Sequence, residues 1–150
     1  MGNRNNLIFN SDFELSLRIL LVLYNQVNTS LNINEIISYD ILTIYGNNYD
    51  LAEENLNGNN PYSYLEYLNR QMDCEKIIKK IILKGYVKLN YSNKGYTYSI
   101  TKKGEDFVES LDSQYAYEYL EINKIVVDKY PNISNYDFEK SLKNIDRKDE

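Results

Sequence analysis

The feature that most constrains this 150-residue chain is a change of hydrophobic period at Gly85. Ahead of it Ile77, Ile78, Ile81 and Ile82 recur at helical spacing, with Lys76, Lys79, Lys80 and Lys84 gathered on the opposite side. Behind it Tyr86-Val87-Lys88-Leu89-Asn90-Tyr91 and Tyr96-Thr97-Tyr98-Ser99-Ile100 are aromatic and β-branched runs of period two. They flank Ser92-Asn93-Lys94-Gly95, which predicts a hairpin with a four-residue turn. Thr101 then caps a further helix carrying Phe107, Val108 and Leu111. A helix that passes directly into a hairpin, and a hairpin directly into a capped helix, leaves few folds open.

The flanking segments narrow the choice. Ser11-Asp12-Phe13-Glu14 reads as a capping box for a helix to about Gln26, whose Phe13, Leu17, Leu20, Leu21 and Tyr24 share one face. Asn32-Ile33-Asn34-Glu35 repeats the signature, Ile33, Ile36, Ile37, Ile41 and Ile44 line the next helix, and Gly46 suits the position past its end. The Asn-, Gly- and Glu-rich stretch 47–61 has no period and reads as a loop. The third helix is expected over about 63–84, open to a break near Asp73. A fifth, over about 113–129, buries Tyr115, Tyr119, Ile122 and Val126 and stops before Pro131. Ser134 would cap a short last helix with Phe138 and Leu142, ahead of a charged tail. This order predicts an α+β, mostly α fold: one winged helix-turn-helix domain over 1–150, with a two-stranded wing. Its core lies at about 9–112 and additional C-terminal helices follow at about 113–145.

Chemistry is limited by what is missing. The chain has no histidine and one cysteine, Cys74, so there is no imidazole base, no His-ligated metal and no internal disulfide. The six glycines are isolated and form no phosphate loop. Glu53-Glu54 and Glu105-Asp106 lack metal-ligand spacing, and Cys74 reads as a core or boundary thiol. The expectation is a protein without catalysis or cofactor. The start, Met1 to Asn6, has no secretory pattern, and the longest apolar stretch, 19–24, is too short to span a bilayer. A soluble, cytoplasmic protein with no membrane contact is expected.

Charge is distributed unevenly. From Arg70 to Lys103 nine basic residues stand against two acids, so the window carries +7 and the remainder −12, for a net charge of −5. Arg70, Lys76, Lys79, Lys80, Lys84, Lys94, Lys102 and Lys103 are the candidate contacts to nucleic acid or to an acidic partner. The plainer alternative is a solvated lysine-rich face. Tyr91, Tyr96 and Tyr98 either stack on bases or pair across the hairpin.

Against this background, 10–20 (Asn-Ser-Asp-Phe-Glu-Leu-Ser-Leu-Arg-Ile-Leu) resembles the opening of the middle-component family of bacterial ABC three-component, Lamassu-type anti-phage defence systems. The family opening is Asn-x-Pro-Phe-Glu-Leu-Gly-x-Arg, with Asp12 here for the proline and Ser16 for the glycine. Tyr39-Asp40-Ile41-Leu42 resembles its aromatic-Asp motif, and Arg70 falls where the family has arginine. Leu83 to Val87, Phe107-Val108 and Ser113-Gln114-Tyr115 follow in order, so the resemblance covers about 9–130. It implies a non-catalytic subunit between an SMC- or Rad50-like ATPase and a nuclease-like effector, which is activated when foreign DNA is sensed. DNA would then be met in the context of the complex. Asp40, Tyr115 and Tyr119 are the expected partner contacts. For Asp40 the choice is between a hydrogen bond on its own helix surface and an intersubunit salt bridge to a partner arginine. The competing function is a free-standing winged-helix transcription regulator.

Overall fold

The computed structural model describes residues 12–46, 52, 56, 63–131 and 133, with the backbone alone for 63–68 and 70. Along them five helices and one hairpin follow in the expected order: α1 Asp12–Tyr24, α2 Ile33–Ile44, α3 Ser63–Leu83, β1 Val87–Ser92, β2 Gly95–Ile100, α4 Lys102–Glu109 and α5 Gln114–Lys129. The fold is α+β and mostly helical, with one two-stranded antiparallel sheet among the described residues. Ser11 with its capping box, most of the 47–61 loop, and the last helix expected from Ser134 lie outside the described residues.

Local chemistry sets the helix ends. Asn32 accepts the Glu35 amide at 2.8 Å and Glu35 accepts the Asn32 amide at 3.0 Å, so the second capping box is formed in both directions. Ser113 accepts the Ala116 amide at 3.3 Å to start α5. α3 runs unbroken through Asp73: that carboxylate faces solvent, while Cys74, Ile77, Ile78 and Ile81 stay buried on a continuous stripe.

α1 and α2 depart from the one-faced pattern expected of them. In α1 every residue from Leu17 to Leu23 is buried, and in α2 every residue from Ile36 to Ile44. Phe13, assigned to the inner face, is 71% exposed. The reason is tertiary: α1 packs against α2, α3, α4, α5 and β2, so it has no solvent side for most of its length. The core joins these helices to Val87 and Ile100 at the base of the hairpin and to Val108, Ala116, Tyr119 and Val126.

The junction of α3, hairpin and α4 is held by backbone geometry. Gly85 has φ of 85°, a left-handed conformation that other residues adopt at a cost, and it turns the chain from helix to strand. Thr101 donates its hydroxyl to the Gly85 carbonyl at 2.6 Å and accepts the Gly104 amide at 3.1 Å, tying the turn to the start of α4. Gly104 lies so close to this turn that an added Cβ would stand 2.3 Å from the Tyr86 carbonyl oxygen. The hairpin register pairs Ser92 with Gly95, so the turn is Asn93-Lys94 alone, two residues shorter than expected. Ser92 Oγ accepts the Lys94 amide at 3.2 Å and closes the turn. An addition to the sheet came with the structure: Leu31, just ahead of α2, exchanges both backbone hydrogen bonds with Tyr98, at 2.9 and 2.8 Å. No helix among the described residues is long and apolar enough to cross a membrane.

Candidate functional site

Two groups of polar residues stand out, one buried and one exposed. The buried group is built by α1, α2 and α5. Arg18 enters from α1 at 0% exposure and meets Asp40 of α2, its Nε 3.1 Å from Oδ1 and 3.3 Å from Oδ2. Tyr119 of α5 donates its hydroxyl to Asp40 Oδ1 at 2.6 Å. One turn earlier, Tyr115 hydrogen-bonds Glu14 of α1. One turn later, Asn123 donates to Thr43 of α2 at 3.0 Å and accepts from Asn25 at 2.9 Å. Asn25 also donates to the Leu120 carbonyl, and Tyr39 to that of Tyr130 at 2.6 Å. Polar contacts thus fasten α5 along its length.

Asp40, Tyr115 and Tyr119, expected as partner contacts, are all engaged in the chain's own network. Asp40 and Tyr119 are buried at 2% and 0%, and Tyr115 is half-buried with its hydroxyl on Glu14. An arginine does pair with Asp40, but it is the chain's own Arg18. The carboxylate points into the protein because α5 covers the face of α2 that carries it. Arg18 was the residue to single out, and its signal was legible: a charge inside the apolar run Leu17 to Leu23, as Asp40 is inside an isoleucine-rich helix.

The electrostatics follow from burial. For Arg18 burial opposes the charge, yet Asp40, with smaller help from Tyr115, Tyr119 and Glu14, holds the guanidinium still more firmly protonated than usual. Burial raises the Tyr119 hydroxyl well above the ordinary tyrosine value, and the Asp40 charge and hydrogen bond push the same way. Burial likewise raises Tyr115, against the pull of Arg18. The Glu14 carboxyl is raised by burial, with Arg18 and the Tyr115 hydrogen bond opposing. The arrangement pairs Arg18 with Asp40 and ties Tyr119 and Tyr115 to the two carboxylates. Among the described residues no cluster of three or more metal-ligating side chains forms, and Cys74 is buried in the core at 1%.

The exposed group is the lysine surface. Lys76, Lys79, Lys80 and Lys84 face solvent on α3, Lys94 stands in the hairpin turn, and Lys102 and Lys103 open α4. The side chain of Arg70 lies outside the described residues. Three of these lysines are engaged within the chain. Lys80 pairs with Asp12 at 3.3 Å, and Lys102 pairs with Asp106 at 3.0 Å. Lys103 donates to the Lys84 carbonyl at 2.8 Å with its ammonium 5.2 Å from the Tyr86 ring centre, which caps the end of α3. No ion pair among the described residues engages Lys76, Lys79, Lys84, Lys88 or Lys94. The same elements carry exposed apolar side chains: Met72 and Leu83 on α3, and Leu89, Tyr91 and Tyr96 on the hairpin. Tyr91 and Tyr96 are cross-strand partners in edge-to-face contact, their ring centres 5.3 Å apart. Burial raises the hydroxyl of Tyr98, on the same hairpin face, and the charge of Glu75 on α3 adds to it.

Comparison with known proteins places the chain. The model of the ABC-three component (ABC-3C) system Middle Component 2 family matches residues 8–148. No curated protein and no solved structure matches. The match takes in every element described above, the residues that meet in the buried network among them. The chain therefore belongs to the ABC-three component (ABC-3C) system Middle Component 2 family.

Proposed function

We propose that the protein is a non-catalytic subunit of an anti-phage defence complex, bridging an SMC- or Rad50-like ATPase and a nuclease-like effector that acts when foreign DNA is sensed. The observation that carries this reading is the family match over residues 8–148, since a middle component works with the other components of its system. The winged-helix reading of the fold is part of the proposal. It is supported by three helices passing into a hairpin and a fourth helix, and by the isolated bridge that Leu31 makes to Tyr98 at the hairpin's edge. The buried ionisable groups are engaged with one another, Arg18 and Tyr119 with Asp40 and Tyr115 with Glu14, which suits a structural role for them.

The alternative, a free-standing transcription regulator, is favoured by one observation: the exposed lysines of α3 and the hairpin lie where such a protein would meet DNA. Lysines position a protein on phosphate, and from Met72 onward the exposed face of α3 offers no arginine, asparagine or glutamine to read base edges, Asn69 being the exposed amide ahead of it. The test is co-expression with the ATPase and effector encoded beside it. The three are expected to elute together from size-exclusion chromatography at low salt, and separate elution would overturn the proposal. Selective binding of the isolated chain to one promoter, by roughly a thousandfold over random DNA, would install the regulator instead.

A further inference from the structure

Lys76 and Lys79, which no ion pair among the described residues engages, share α3 with exposed apolar residues, and their order along the helix is regular. Met72, Lys76, Lys79 and Leu83 follow at spacings of four, three and four residues, which sets them in one stripe opposite the buried Cys74, Ile78 and Ile81. All four are exposed, Met72 at 70% and Leu83 at 87%. A four-three-four spacing is the one at which one helix seats against another. Two cations between two apolar residues call for a complementary order on the opposing helix, with acids in the middle and apolar residues at the ends.

We propose that this stripe is the docking seam for a helix of another subunit, one carrying two carboxylates flanked by apolar residues at matching spacing. The inference rests on the reading of the chain as one subunit of a multi-component assembly, and it names the chemistry of the partner. The hairpin adds exposed apolar residues of its own, Leu89, Tyr91 and Tyr96, on one of its faces. Tyrosine and methionine are residue types that anchor such contacts. DNA fits the seam less well. Its phosphates would engage Lys76 and Lys79 but leave Met72 and Leu83 without apolar cover, and the acidic remainder of the chain repels it. A second copy fits less well still, because two such stripes face to face would oppose lysine to lysine.

The test uses the full chain and the two components encoded beside it, each purified, with affinities from biolayer interferometry. Wild type is expected to bind one component. Leu83→Asp, and separately Lys76→Glu with Lys79→Glu, are expected to weaken that binding by about tenfold or more while leaving the melting temperature unchanged. Lysines placed at the partner's two acids are expected to restore binding of the charge-reversed chain. If wild type binds and both variants bind equally well, the seam is wrong and the subunit reading stands. If wild type binds neither component, both fall. Binding to a short random-sequence duplex that is lost in the Lys76→Glu, Lys79→Glu chain, with component binding intact, would reassign the face to DNA and overturn the proposal. A self-associated species dissolved by Leu83→Asp would overturn it in favour of a second copy.

Discussion

A guanidinium removed from water needs its charge met inside the protein, and Asp40 meets that of Arg18. Removing one partner strands the other, so Arg18→Ala or Asp40→Ala is expected to cost about 3–5 kcal/mol in urea unfolding. Replacing the whole set by apolar residues of similar volume, Arg18→Met, Asp40→Leu and Tyr119→Phe together, is expected to recover most of that loss. A triple variant as unstable as the singles combined would show that the three are not coupled. Tyr119 also sets a pH dependence. Its hydroxyl is held well above the ordinary value of 10.0, so the folded chain keeps a proton that the unfolded chain gives up. The stability from that proton is fully present below the unfolded value and is lost as pH rises towards the folded one. Tyr119→Phe is expected to be less stable by about 1–3 kcal/mol at neutral pH. The gap to wild type should narrow between pH 8 and 11 in urea titrations, because only wild type has that hydroxyl to ionise.

Among the elements, the junction of α3, hairpin and α4 has the least room. Gly104→Ala would set a Cβ 2.3 Å from a backbone oxygen that cannot swing aside, so α4 must shift off the turn. A loss of about 1–3 kcal/mol is expected, read from the thermal midpoint. The neighbouring substitution Lys102→Ala serves as the control, since that side chain is exposed and its ion pair with Asp106 is a surface one. This junction was legible in the sequence because its determinants are local: a period change, Gly85, and the cap at Thr101. The length of the hairpin turn was not, because strand register depends on which residues pair across it.

For the molecule as a whole, the decisive relation is between the first helix and the last. α5 was expected as an extension beyond a core ending near residue 112, yet its Tyr119 and Asn123 reach Asp40 and Thr43 in the interior. Ending the chain at Asp112 would open that face of α2 to water and leave Arg18 and Asp40 on a solvated edge. The truncated chain is expected to lose the cooperative unfolding transition and the near-ultraviolet circular dichroism of its tyrosines. A shortened protein that melts as sharply as the full chain would sink this view.

Much followed from the sequence alone: the order of helices and strands, the capping box at Asn32, the Gly85 turn, the exposed lysines of α3, and the family. These rest on periods, caps and ordered motifs, which act between residues near in the chain. The buried network was decided only by tertiary structure. Glu14, Arg18, Asp40 and Tyr115 belong to the motifs that carried the resemblance, but whether such residues face a partner or one another depends on what covers them. α5, which carries Tyr115, covers the other three from about eighty residues further along the chain than Asp40. No local pattern encodes that contact, because it is driven by the burial of apolar surface between helices far apart in the chain, and the charges taken out of water with it must then find one another.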